Sequence, residues 1–80
     1  MQRIKINSTV IASVVYDDGT LFVEFFGNGW YKYVHVPEKI FEQFLNAPSK
    51  GQFFNRFIKP VYRNVAMTNQ ELEMVCRIAL

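Results

Sequence analysis

The stretch Val14-Val15-Tyr16-Asp17-Asp18-Gly19-Thr20-Leu21-Phe22-Val23 decides the fold, because it sets a turn signal between two β-prone runs. Asp-Gly suits the centre of a type I′ turn, whose two central residues take positive φ and whose twist matches that of paired strands. Thr9 to Tyr16 is rich in β-branched residues and Leu21 to Phe26 continues the pattern, so the two form a hairpin. With Asp18-Gly19 as a two-residue turn, Tyr16 faces Leu21, Val14 faces Val23 and Ala12 faces Phe25, which makes one side of a core.

Downstream, Gly27-Asn28-Gly29 turns the chain into Trp30 to Val36, and Pro37 ends the resulting three-stranded meander. The loop length sets the register. A three-residue Gly27-Asn28-Gly29 loop, the preferred reading, places Phe25 opposite Tyr31, Val23 opposite Tyr33 and Glu24 opposite Lys32, with both tyrosines inward. A two-residue Asn28-Gly29 turn would place Lys32 against Phe25 and turn both tyrosines outward, because a slip of one residue exchanges faces.

Pro37-Glu38 suits the first turn of a helix, and Ile40, Phe41, Phe44 and Leu45 repeat at helical spacing up to Ala47-Pro48. Ser49 can cap a second short helix with Phe53, Phe54, Phe57 and Ile58 as its apolar set and Pro60 as its limit. Thr68-Asn69-Gln70-Glu71 has the form of a capping box, and Leu72, Val75, Cys76 and Ala79 make an apolar stripe behind it. Arg63 to Met67 reads as a mobile joint between the two. The fold class is therefore α+β, a three-stranded antiparallel meander followed by two short helices and a C-terminal helix.

Eighty residues with half of them apolar and an aromatic share of 16% supply one core, so residues 1–80 are read as a single domain. One cysteine, Cys76, excludes an internal disulfide, and the N-terminus shows no apolar run of signal-peptide length, so a cytoplasmic address is expected. No stretch approaches the length of a membrane-spanning helix, and no membrane partner is expected.

Several residues then point to a known family. Ser8, Tyr16-Asp17, Tyr31-Lys32-Tyr33, Val36-Pro37, and Ala47-Pro48-Ser49-Lys50-Gly51-Gln52-Phe53-Phe54-Asn55 with Ile58-Lys59 and Tyr62 stand in the order and spacing of the KTSC domain. The chain resembles that family over residues 8–62, and residues 64–80 form a helical extension beyond it. Its Gly27-Asn28-Gly29-Trp30 turn departs from the commoner pattern, which has Asn-Gly one position earlier. The resemblance implies a small domain found at the C-terminus of some lysyl-tRNA synthetases and as free-standing bacterial and phage proteins. It implies no enzymatic activity, and an RNA partner only by association with the synthetase.

The residues offer little catalytic chemistry. His35 reads as a sheet-end, partly buried histidine and Cys76 as a buried structural thiol, and a single His with a single Cys cannot make a metal cluster. Asp17 and Asp18 are what a turn needs rather than a carboxylate pair. No phosphate-binding glycine loop is present. The expectation is a non-catalytic module without cofactor, metal or small-molecule substrate.

Two surfaces are candidates for binding. Net charge is only +2, yet no Asp or Glu occurs from Gln43 to Gln70, where Lys50, Arg56, Lys59 and Arg63 interleave with aromatics including Tyr62. That pattern suits phosphates and stacked bases, hence RNA. It also suits an amphipathic helix whose aromatics are core and whose cations are merely solvated. The outer sheet face is the second candidate. The preferred register places Ile11, Ser13, Val15, Phe22, Glu24, Phe26, Trp30, Lys32 and Val34 there, too apolar a set to leave in water. Phe22, Phe26, Trp30 and Lys32 would then contact a protein, as a homodimer or as a small phage-type factor blocking a host protein, or the aromatics would stack bases. Alternatively the tail helix folds back and covers them.

Overall fold

A computed structural model describes residues 2–78. Its framework is one antiparallel sheet of β1 Arg3–Lys5, β2 Ile11–Asp17, β3 Thr20–Phe25, β4 Gly29–Val34 and β5 Arg63–Val65, in that spatial order. The helices are α1 Glu38–Asn46, α2 Lys50–Phe53 and α3 Asn69–Arg77, and α2 runs on into a single π-helical turn, Phe54–Ile58. The α+β class holds. The sheet has five strands rather than three: Arg3–Lys5 pairs with β2, and Arg63–Val65, read from sequence as a joint, pairs with β4. Three-residue strands carry too little alternation to stand out in a sequence.

The β2–β3 turn is as expected. Asp18 and Gly19 take φ of 46° and 84°, the type I′ signature, and Tyr16 pairs with Leu21 and Val14 with Val23. A β-bulge interrupts β2 between Ile11 and Ser13, so Ile11, not Ala12, pairs with Phe25. The extra residue carries Ile11 from the expected outer face into the core, where it is fully buried.

The β3–β4 loop closes earlier than expected. The Asn28 N–H donates to the Phe25 carbonyl at 3.2 Å, and Gly27, at φ 78°, supplies the left-handed third position of a type II turn. The loop is thus Phe26–Asn28, and the register moves by two: Val23 pairs with Tyr31, Leu21 with Tyr33, Glu24 with Trp30 and Phe22 with Lys32. A shift of two keeps every face, so the tyrosines remain on the core side, but it separates Glu24 from Lys32. Each charge finds another partner. Glu24 accepts from Arg3 Nη2 at 2.9 Å and Ser13 Oγ at 2.8 Å, and Lys32 Nζ donates to both Glu71 oxygens at 3.0 Å.

The inner face packs Ile11, Val14, Leu21, Val23 and Tyr33 against Phe41 and Phe44 of α1 and Phe54 and Ile58 of the π turn. Tyr16 stacks on Phe41 at 4.5 Å and donates its hydroxyl to the Val36 carbonyl at 2.6 Å. The outer face is covered by α3: Val15 and Phe22 pack with Val75, flanked by Trp30, Met67, Met74 and Ile78. The capping box starts that helix, with Thr68 Oγ1 accepting from Glu71 N–H and the Glu71 carboxylate accepting from Thr68 N–H. Val75 is its buried residue, whereas Cys76 is exposed, contrary to its expected burial. The stripe is narrower than the sequence spacing implied, and Ala79 lies outside the described residues. His35 is also exposed, beyond the end of β4, with a left-handed φ of 58°.

Two outcomes test this packing. Tyr33 is only 4% exposed while Tyr31, at the sheet margin, is 37% exposed. Tyr33→Ala is expected to cost about 3–5 kcal/mol in urea unfolding, as for other buried large aromatics, and Tyr31→Ala clearly less. Equal costs would contradict the unequal burial of the two rings. The second outcome concerns acid. The Thr68 backbone N–H and then Lys32 hold the Glu71 carboxyl below its ordinary range, against the opposing effect of burial. A carboxyl depressed on folding stabilises fully above the unfolded glutamate range of about 4.3 and loses that contribution as pH falls through its folded value. The protection factors of the α3 amides, the intrinsic rate at each pH divided by the exchange rate, should therefore fall on acidification through that window, and Glu71→Gln should flatten the profile; identical profiles would refute the role of the carboxylate.

Candidate functional site

An open concavity runs where the start of β2 and the β3–β4 loop meet α2 and its π turn. The π turn presents Phe54 and Ile58 inward and leaves Asn55 and Arg56 exposed, and Lys59 N–H closes it on the Phe54 carbonyl at 2.9 Å. One extra residue in a helical turn re-aims the side chains that follow it. Ser8 holds the opposite lip, its Oγ accepting from the Val10 and Ile11 N–H groups at 3.1 and 3.2 Å. Ser49 caps α2 by accepting from Gln52 N–H.

The groove has two lobes. One, of about 370 Å³, is lined by Asn7, Ser8, Thr9, Ser49, Lys50 and Gln52 among others. The other, of about 300 Å³, is lined by Phe25, Tyr31, Tyr33, Asn28, Asn64 and Lys59 among others. Val10 and Asn55 line both, so the lobes adjoin. No Asp or Glu lines either. Burial, and after it the neighbouring Tyr31, push the Tyr33 phenol above its usual range, so it is a hydrogen-bond donor at neutral pH.

The structure sorts the sequence candidates. Lys50 and Lys59 line the groove, and Arg56 is exposed just outside it beside Gln52 and Asn55. None of the three has a carboxylate partner among the described residues, although Lys50 Nζ donates to the Ala47 carbonyl at 3.2 Å. Arg63 pairs opposite Val34, and strand alternation therefore puts it on the face away from the groove. Tyr62 packs against the inner core. Of the expected protein-contact set, Phe22 is buried under α3 and Lys32 is tied to Glu71. Trp30 is partly buried, with the Arg3 guanidinium 5.4 Å from its ring centroid. Only Phe26, 57% exposed at the loop, remains on an open surface.

The reading of the sequence missed Asn28, Asn64 and the groove side of Tyr31. Asparagine in a turn is ordinary turn chemistry, and Asn64 lies in a strand that had no sequence signal. Unpaired acids gather elsewhere: Asp17 and Asp18 sit in the β2–β3 turn, and Glu38 is near enough to raise the Tyr16 phenol together with Asp18, after burial. Among the described residues no group of three His, Cys, Asp or Glu could hold a metal ion, and no helix is long and apolar enough to cross a membrane.

A five-stranded sheet with helices on both faces and an acid-free groove at one end defines a small α+β domain with an open concave surface. A model of the KTSC domain family matches residues 7–62, and the chain belongs to that family. It is 36% identical over 64 residues to a protein of Tsukamurella paurometabola, a match covering 78% of this chain and 96% of that one. It is 40% identical over 62 residues to a lysine–tRNA ligase of Nostoc punctiforme, but spans only 11% of the ligase. The crystal structure of a KTSC domain protein from Yersinia pestis is similar with a TM-score of 0.77 at 36% identity, covering 84% of this chain and 97% of that one.

His35 and Cys76 stand apart from the groove, since neither lines it. His35→Ala and Cys76→Ser are expected to leave ligand binding unchanged; loss of binding in either, with an unaltered melting curve, would relocate the site.

Proposed function

We propose that this domain is a non-catalytic binding module that takes single-stranded RNA along the groove and the exposed face beside it. The observation that carries the reading is the segregation of charge. Arg3, Lys32 and Arg77 lie within 4.0 Å of Glu24, Glu71 and Glu73. Lys50, Arg56 and Lys59 have no such partner among the described residues and flank a groove without acids. Cations free of carboxylates can neutralise phosphates and release their counterions, and aromatic walls add sequence-tolerant stacking. The kinship with part of a lysine–tRNA ligase supports an RNA partner by association, and the chemistry of the groove supports it independently.

A protein partner is the second reading, favoured by the exposed pair Val10 and Phe26, joined by a Phe26 N–H to Val10 carbonyl bond of 2.9 Å. The two readings separate by salt. Three single-strand phosphate contacts give a slope of log K against log salt of about −2, and replacing Lys50, Arg56 and Lys59 with Gln should remove about 0.7 per contact. Arg63→Gln, on the opposite face, should change it less. A triple variant that binds oligoribonucleotides as the parent does would end the RNA reading, and abolition of partner capture by Phe26→Ala would favour the protein one.

A further inference from the structure

The two lobes differ in chemistry in a way that the cations alone do not explain. The lobe holding Tyr31 and Tyr33 has aromatic walls, and Phe25 supports Tyr31 edge-on with 5.4 Å between centroids. The lobe holding Ser8 and Lys50 has no aromatic lining and is built from hydroxyls, amides and one cation.

The polar groups of the aromatic lobe are free to bond. Asn28, Asn55 and Asn64 side chains make no hydrogen bond to the protein among the described residues, unlike Asn46, whose amide donates to the Glu42 carbonyl. Tyr33 has a buried ring and a hydroxyl with no protein partner among the described residues, where no inaccessible side-chain polar atom is left unpaired. Its oxygen therefore keeps some access to solvent, and Tyr33 lines this lobe.

Each primary amide offers an adjacent donor and acceptor, the pattern that reads a base edge, and a phenol adds a donor. A cavity of about 300 Å³ is at the lower end of the range for small-ligand sites, room for one planar heterocycle rather than a stack. The neighbouring lobe offers Lys50 and three hydroxyl side chains, Ser8, Thr9 and Ser49, whose O–H groups can donate to a phosphate and its ribose.

We propose that the groove is a single-nucleotide site within the RNA-binding surface. One unstacked nucleobase enters the lobe walled by Tyr31 and edged by Asn55 and Asn64, and the adjoining phosphate lies in the lobe of Ser8 and Lys50. This rests on the RNA reading and adds to it that affinity depends on a base as well as on backbone charge.

The test compares a short labelled oligouridylate or oligoadenylate with an abasic ribose-phosphate strand of equal length, by fluorescence anisotropy at fixed salt. The parent protein should bind at least one base-bearing strand roughly tenfold more tightly than the abasic one, the scale of one stacked base. Tyr31→Ala should erase that difference while leaving abasic affinity unchanged, and Tyr31→Phe should keep most of it. Asn64→Ala, at an exposed position, should weaken only the base-bearing strands, which guards against a folding defect in the tyrosine variant. Equal affinity of the parent for all strands overturns the base site and leaves the phosphate grip standing. A preference that survives in Tyr31→Ala and Asn64→Ala also overturns it. Absence of binding to every strand overturns the RNA reading itself, and the base site with it.

Discussion

Leu21, Phe22 and Val23 follow one another in β3, and all three are buried. Successive side chains of a strand point to opposite faces, so a strand that buries three in a row needs cover on both sides. The rest of the chain is arranged around that requirement. The inner layer comes from α1, α2 and the π turn, whose aromatics form a chain of edge and stacked contacts from Tyr16 through Phe41 and Phe44 to Phe53. The outer layer comes from α3, which reaches Phe22 through Val75 and is held at its start by Glu71 on Lys32. With both sheet faces occupied, the acid-free groove lies at the end of the sheet, between Ser8, the β3–β4 loop and the π turn.

The charged residues divide along the same lines. Pairs that hold α3 and β1 in place are partly buried and hydrogen-bonded, as Arg3, Ser13 and Glu24 are, and breaking one partner of such a network leaves the other unsatisfied. The exposed Arg77–Glu73 contact at 3.9 Å contributes at most about 1 kcal/mol. The cations around the groove make no ion pair among the described residues, and Asp17 and Asp18 sit at the opposite end of the hairpin, near Glu38. The groove thus carries local positive charge despite a formal net charge of only +2.

Features that depend on local chemistry were legible in the sequence. Asp18-Gly19 marks its turn because few residues tolerate two successive positive φ values, and Thr68 with Glu71 marks a helix start because two orphan N–H groups need acceptors. Features that depend on distant partners were not. The bulge at Ala12 is imposed by packing Ile11 inward, and the loop at Phe26–Asn28 competes closely with Gly27–Gly29 because both keep the same faces. Glu24 and Lys32 looked like a cross-strand pair only while Arg3 and Glu71 were out of view. Lys50 and Lys59 were picked out by the absence of nearby acids, whereas Asn28, Asn55 and Asn64 meet only once five strands are assembled.

The short β5 strand has a bearing on how the molecule behaves at high concentration. It hydrogen-bonds along Lys32–Val34, so the backbone there is already paired, and at three residues it offers a neighbouring molecule little to extend. Exposed strand margins are templates for self-association, and very short end strands are one way of blunting them. The family match ends at Tyr62, immediately before this strand begins. A version of the chain cut at that point would lose α3 together with β5, baring Val15 and Phe22 as well as the rim of β4, and would be sticky and less stable at once.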